Sequence, residues 1–334
     1  MRRHVPLLAT TVLVAALMGP SNARAGDAHL LPDLRQAPIG CAGGHTGDPA
    51  RCTDWDVCVV ADAASPNGPC GGEGAAVRLR FTTAADNVGE GPLLIYGSRP
   101  DERTRTMTAR QAFQSSVDRS IPASYQAAQN PIPATLYYEP APAHTHWHLL
   151  GFEHFQLRTP DGRVVVADRK TGFCLGDRYP LRDGLPHSPG DLGTPEGRLA
   201  DYLRQNRCGH HAPEALEVVE GISVGYGDDY RYTVDFQWLD LTRVKSGVYD
   251  VLNVVNGDRS LVEKSYDNNV SSMAISLQWP GGAVEPPERI TSPPEVKLLR
   301  SCPGEASCWR GESSGAAQVS PPQVSAPPES AVPR

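Results

Sequence analysis

The sequence predicts a mainly β protein: an antiparallel β-sandwich-like domain with long disulfide-braced loops and little helix. Three observations carry that expectation. Short stretches alternate apolar and polar residues with a period of two, the mark of half-buried strands. Gly and Pro make up about a fifth of the 334 residues, which favours many turns. The eight cysteines, at positions 41, 52, 58, 70, 174, 208, 302 and 308, are an even set with no CxxC pair. In an exported chain that pattern reads as disulfides rather than a thiolate zinc site.

The elements follow in order. Residues 26–75 are loop-rich and hold four of the cysteines. Val77, Leu79 and Phe81 alternate with Arg78, Arg80 and Thr82, giving a strand. A turn over Asn87–Gly91 returns the chain into a strand over Leu93–Tyr96. Residues 97–135 show no clear period. Short strands are then expected at Thr135–Tyr138, His144–Leu150, His154–Arg158 and Arg163–Ala167, with Pro160-Asp161-Gly162 as a hairpin turn. Thr194 as N-cap with Pro195 at the first position predicts a helix to Asn206. Gly225–Tyr232 reads as a loop leading into a strand over Tyr232–Leu241. Further strands are expected at Gly247–Asn256 and Ser271–Trp279. Clustering of the cysteines favours two bridges within 41–70, one between Cys174 and Cys208, and one between Cys302 and Cys308.

Three regions are expected. Residues 1–25 read as a signal peptide: Arg2 and Arg3, an apolar run from Val5 to Met18, and a small-x-small site at Ala23-Arg24-Ala25, with cleavage after Ala25. Residues 26–285 form the main folded domain, which carries the strands and the motifs below. Residues 286–334 form a Pro/Ser-rich extension, largely disordered; within it residues 310–334 hold almost no large apolar groups to offset ordering entropy. The expected location is therefore secreted. No later stretch could span a bilayer. Cleavage would take the formal net charge from −7 to near −10, because residues 1–25 carry three positive charges and no negative ones. That balance argues against a nucleic-acid binder.

His144-Thr145-His146-Trp147-His148 is the sharpest motif. On a strand, alternate side chains share a face, so the three imidazoles would point one way. Neutral imidazole suits zinc, copper, iron and nickel, and copper(II) leads in raw affinity. A zinc site of three histidines is the rival. His154 would share that face only if the strand ran unbroken past Gly151, and His210-His211 reads as a solvated loop. Taken alone, Lys170 is a surface lysine and Tyr230 a hydrogen-bonded tyrosine.

Together with their surroundings these residues resemble the lysyl oxidase family, copper-dependent amine oxidases acting on peptidyl lysine. The likeness runs from Leu31-Pro32-Asp33-Leu34 through His144–His148, Lys170-x-x-Phe173-Cys174-Leu175, Gly221-Ile222-Ser223 and Asp228, to Tyr230 and Asp235-x-Gln237-Trp238-x-Asp240. Gly247-x-Tyr249 and Tyr266-x-Asn268-Asn269 complete it. The resemblance implies a secreted, bacterial-type member that holds copper on His144, His146 and His148. It implies a lysine tyrosylquinone cofactor built from Lys170 and Tyr230, with Asp228 as general base. Primary amines, with dioxygen, would become aldehydes with release of hydrogen peroxide and ammonia. The Cys174–Cys208 bridge resembles one in the family. A calcium site is also implied, at Asp33, the Leu34 carbonyl, Glu263, Asn268 and Asn269, although Ser265 stands where the family has a carboxylate. The competing readings are a zinc hydrolase on the same three histidines and a non-catalytic extracellular copper-binding β module.

Overall fold

The computed structural model describes residues 29–168, 170, 172–182 and 191–309. The expected signal peptide and most of the expected C-terminal extension lie outside them. The described chain is built on antiparallel sheets with one α-helix, Pro195–Gln205. One five-stranded sheet runs in the order His146–Leu149, Asn130–Glu139, Thr106–Gln111, Leu93–Ser98, Glu217–Ile222. A second runs Val164–Ala167, Glu153–Arg158, Gly247–Val255, Val270–Gln278, Glu295–Pro303. Two four-stranded sheets complete the frame, one containing Tyr226–Tyr230 beside Thr83–Asn87, the other Trp238–Asp240 beside Ala76–Phe81. Side chains from these four sheets, among them Leu34, Phe81, Ile95, Trp147, Phe155 and Leu239, join a single buried apolar cluster, and a fifth, two-stranded sheet pairs His29–Leu30 with Gln114–Ser115. No helix among the described residues is long and apolar enough to cross a membrane.

The helix starts where its sequence says. The Thr194 hydroxyl accepts from the Gly197 N–H at 3.1 Å, and Pro195 fills the first position. The four disulfides are Cys41–Cys52, Cys58–Cys70, Cys174–Cys208 and Cys302–Cys308. The open choice within 41–70 is thus resolved as two neighbouring pairs.

Several expectations are corrected. Residues 97–135 contain strand Thr106–Gln111 and the start of Asn130–Glu139. Met107, Ala109 and Gln111 do alternate inward, but Ala and Gln are too weakly apolar to mark the period. Of the strand expected over Tyr232–Leu241, only Trp238–Asp240 forms. The preceding residues turn, and Phe236 takes a positive φ of 60° that breaks an extended run. Conversely, Tyr226–Tyr230 is a strand rather than a loop, pairing with Thr83–Asn87. Its sequence, Tyr-Gly-Asp-Asp-Tyr, has turn composition, and only its polar partner strand makes the pairing legible. The tail is also not wholly irregular: Glu295–Pro303 adds to the edge of the second sheet through Val270–Gln278.

Candidate functional site

The histidine motif is assembled by a turn and a strand together. His146 and His148 sit on strand His146–Leu149, but His144 lies in the turn before it. Thr145 adopts φ 48°, which ends the simple alternation. The three rings nevertheless converge, with a ligand atom from each within 4.8 Å of the others. His146 Nε2 and His148 Nε2 are 2.9 Å apart. Trp147 points to the opposite side, where its indole N–H donates to the Ala212 carbonyl at 3.1 Å and its backbone N–H to the Cys208 carbonyl at 2.8 Å. That tryptophan therefore ties the histidine strand to the loop after the helix.

Burial, reinforced for all three by the nearby Lys170 cation, depresses the imidazoles. His144 falls to about 3, His146 to about 4, and His148 well below its ordinary value. They are held neutral, the form that binds a metal. The buried Nδ1 atoms of His144 and His148 have no hydrogen-bond partner. Orphaned buried nitrogens cost free energy unless something binds them. Three neutral imidazoles, two of them with an unpartnered nitrogen, fit a divalent transition metal. The other compact His/Cys group, Cys41, His45 and Cys52, does not, because its sulfurs are joined in a disulfide.

Lys170 reaches the same centre on a loop stitched to the histidine strand. Leu149 and Phe173 exchange backbone hydrogen bonds of 2.8 and 3.1 Å. Gly172 between them has φ 120°, and a Cβ there would lie 2.5 Å from the Leu149 carbonyl oxygen, so only glycine fits. The Asp168 carboxylate accepts from the Lys170 N–H at 3.2 Å and also from the Phe155 N–H. The Lys170 side chain is half-buried, and its Nζ stands 4.5 Å from the centre of the Tyr230 ring and 3.4 Å from the Asp235 carbonyl oxygen. The sixty residues between Lys170 and Tyr230 are thus closed by the fold. Burial lowers the Lys170 amine to about 7, although the carboxylates of Glu153, Glu139, Asp235 and Asp168 oppose that shift. A substantial neutral fraction is available as a nucleophile near neutral pH.

The Tyr230 hydroxyl accepts from the Cys174 N–H and donates to the Cys174 carbonyl at 2.9 Å. Its ring meets Phe173 edge to face at 4.7 Å. The Cys174–Cys208 bridge holds this clasp against the loop that Trp147 anchors. Tyr226 and Tyr232 flank Tyr230 in sequence, but Lys170 makes its ring contacts with Tyr230 and Phe173.

Asp228 is a buried strand carboxylate rather than an exposed turn residue. One oxygen accepts from the Gly176 N–H at 2.9 Å; the other has no hydrogen bond and lies 3.7 Å from Arg178 Nε. Burial pushes its pKa up to about 8, against the pull of Arg178. Its charge also helps raise the Tyr230 phenol, after burial. His154 stays out of the metal cluster and faces Asp168, with 3.7 Å between Nδ1 and Oδ2.

Several residues at the site were not singled out from sequence. Glu153 is buried on strand Glu153–Arg158 and is raised to about 7 by burial. Glu220 is buried and accepts from the Leu175 N–H at 3.2 Å. Arg178 bridges the Cys174 segment to the Asn206 carbonyl, at 2.9 Å. A cleft of about 330 Å³ opens on His144 and His146 between the Cys174–Arg178 segment and residues 204–210. His210, expected as a solvated loop residue, lines it, with its ring centre 6.2 Å from that of His146.

The residues expected for calcium also come together. Asn268 Nδ2 donates to Asp33 Oδ1 at 2.8 Å, and Asn269 Nδ2 to Glu263 Oε1 at 2.6 Å. Glu263 accepts in addition from the Leu34 N–H at 2.7 Å. The amide oxygens of Asn268 and Asn269 are buried without partners, so the set offers oxygen ligands of the kind calcium takes.

Comparison with known proteins defines the class. The lysyl oxidase family model matches residues 199–284, a stretch that contains Asp228 and Tyr230 but begins after His148 and Lys170. Lysyl oxidase homolog 3 of Homo sapiens is 29% identical over 139 residues, 41% of this chain and 15% of that protein. Lysyl oxidase homolog 2A of Danio rerio is 31% identical over 128 residues, 38% of this chain and 14% of that protein. The match thus spans about a seventh of those relatives. Residues 199–284 thus match the lysyl oxidase family, and about two fifths of the chain is similar to lysyl oxidase homologs.

Proposed function

We propose that this protein is an exported copper-dependent amine oxidase that converts primary amines, peptidyl lysine among them, to aldehydes. The balance is one amine, one dioxygen and one water giving one aldehyde, one ammonia and one hydrogen peroxide. The amine carbon loses two electrons, and dioxygen gains them. His144, His146 and His148 would hold copper(II), and Lys170 and Tyr230 would be joined as lysine tyrosylquinone. Together they supply the electron-accepting chemistry that protein side chains lack.

The chain's own residues bind, orient and move protons. The Cys174 backbone fixes the Tyr230 ring through its hydroxyl. Phe173 excludes water from one side of that ring. Asp228 takes the proton from the α-carbon of the bound amine, and Arg178 sits beside the resulting acid. The four disulfides support export to an oxidising compartment.

The observation that carries the reading is the 4.5 Å approach of Lys170 Nζ to the Tyr230 ring, beside three neutral imidazoles. Peptide mapping by mass spectrometry tests it, on protein secreted in copper-replete medium. A single peptide joining Lys170 to Tyr230 is the expected result. Both residues unmodified in protein with copper at full occupancy would leave a metal-binding module and remove the oxidase.

A structural calcium ion on Asp33, Leu34, Glu263, Asn268 and Asn269 is part of the same proposal. At a free calcium concentration a hundredfold above its Kd, such an ion adds about 2.7 kcal/mol to stability. Chelation with EGTA is therefore expected to lower the melting temperature, and Glu263→Gln to abolish that response. An unchanged melting curve on chelation would remove the ion from the account.

A further inference from the structure

The wall of the cleft is cationic in a chain whose overall balance is negative. Of the residues lining it, Arg178, Arg204 and Arg207 carry full positive charge, and none is a carboxylate. His144 and His146 form its floor, and Cys174, which clasps the Tyr230 hydroxyl, forms part of one side. The cleft thus opens on the imidazoles and on the segment that clasps Tyr230, and its wall is the reverse of what a bare ammonium would choose. An alkylammonium entering here meets three guanidiniums.

The three arginines are not equivalent. Arg178 is fixed by the Asn206 carbonyl and sits against buried Asp228. Arg204 pairs with Asp201 at 3.0 Å, but both side chains are nearly half exposed, and such a pair exchanges partners at little cost. Arg207 is exposed and makes no hydrogen bond or ion pair among the described residues. Two of the three forks are therefore available at the mouth. A guanidinium fork matches a carboxylate in a bidentate pair.

We propose that this cleft selects primary amines that carry a carboxylate, with Arg207 and Arg204 as the residues that receive it: a lysine flanked by acidic residues in a polypeptide, or a free amino acid with a distal amine. The proposal rests on the amine oxidase reading for its substrate, but carboxylate recognition has a readout of its own. The carboxylate offsets the repulsion that the arginines impose on the incoming amine. It also anchors the substrate at the rim while the amine reaches the floor.

The test uses copper-loaded protein and two matched pairs. ε-Aminocaproate and hexylamine share one chain length and differ in the terminal carboxylate. Lysyl peptides flanked by Glu or by Gln differ in the same way and separate the polypeptide source from the free one. The expected result is a kcat/KM ratio favouring the carboxylate member of at least one pair by about tenfold, shrinking as salt rises. Arg207→Glu is expected to erase or invert that ratio, with Arg207→Gln as the milder variant should charge reversal disturb folding. Anisotropy of a labelled Glu-flanked peptide, measured with oxygen excluded, gives the same comparison with at most one reductive half-turnover per site. Equal ratios in wild type, or a preference that survives Arg207→Glu and Arg204→Glu in both assays, would overturn the proposal while leaving the oxidase intact. Failure to oxidise any amine would instead strike the oxidase reading, and the binding assay would then decide the carboxylate site by itself.

Discussion

Lys170→Arg is expected to abolish amine oxidation, lowering kcat/KM by more than about ten-thousandfold, while copper content stays at the wild-type level. The cation survives the substitution, so the carboxylates of Glu153, Glu139 and Asp235 keep their counter-charge. What is lost is the amine. A guanidinium stays protonated at any working pH and cannot add to a ring as a nucleophile. Tyr230→Phe is expected to be equally inactive for the complementary reason, since the oxidisable phenol is gone. The two variants should separate in stability. Phe preserves the edge-to-face contact with Phe173 but leaves the Cys174 N–H and carbonyl without the hydroxyl that serves both. An unpaired buried donor costs about 1–3 kcal/mol, so Tyr230→Phe should melt lower than Lys170→Arg. Peroxide production, metal analysis and thermal melting on the same preparations check all three expectations. Sustained peroxide output from Lys170→Arg would exclude Lys170 from the cofactor. Loss of copper from either variant would show that the metal site depends on the pair rather than on the three histidines.

The parts of this site that were legible from sequence differ in why they were legible. The histidine triplet stands out by density alone, because imidazoles are scarce and clustering is informative without a fold. Its geometry was less accessible: His144 reaches the cluster through a turn set by the positive φ of Thr145, which no alternation rule anticipates. Lys170 and Tyr230 carry no local signal. A lysine on a short loop is an ordinary surface residue until a glycine at 172 and the Leu149–Phe173 exchange turn it inward. Only the resemblance selected those two, and the fold then brought them within contact. Asp228 carries a misleading local signal, because Gly-Asp-Asp reads as a turn. It is buried because Thr83–Asn87, a strand itself poor in large apolar groups, pairs with it across a sequence gap of more than a hundred residues. Glu153, Glu220 and Arg178 were invisible for the same reason. Their importance lies in what they face, and each faces something distant in the chain.

The charge of the cleft shows the same limit from another side. A negative net charge by itself attracts cationic amines weakly at long range. The local wall is positive, since Arg204 and Arg207 follow one another at the end of the helix and Arg178 joins them only through the fold. At physiological ionic strength the screening length is about 8 Å, so the nearby guanidiniums, not the global balance, govern the last approach.

Asp228→Asn is the second large effect, with an expected fall in kcat of about a hundred- to ten-thousandfold, the range that a positioned general base contributes. The amide oxygen can still accept from the Gly176 N–H, so the segment Cys174–Arg178 keeps its anchor. What disappears is the unpartnered oxygen beside Arg178, the atom available to take a proton. The pH dependence distinguishes this from a structural loss. Burial raises the Asp228 pKa from 3.8 to about 8, so the working carboxylate form accumulates as pH rises through 8. Wild-type activity should climb along that limb, and the variant should lose the limb as well as the rate. Stability should move the opposite way in the wild type. Between about pH 4 and pH 8 the folded chain holds a proton on Asp228 that the unfolded chain has released. Raising the pH across that window therefore destabilises the fold, and Asp228→Asn should flatten that slope. Deuteration of the substrate's α-carbon completes the test, because a base acting on that proton makes its removal sensitive to mass. A variant that keeps the wild-type pH profile and isotope effect while losing only stability would reduce Asp228 to an anchor for the Gly176 N–H and return the search for the base to Glu153 and Glu220.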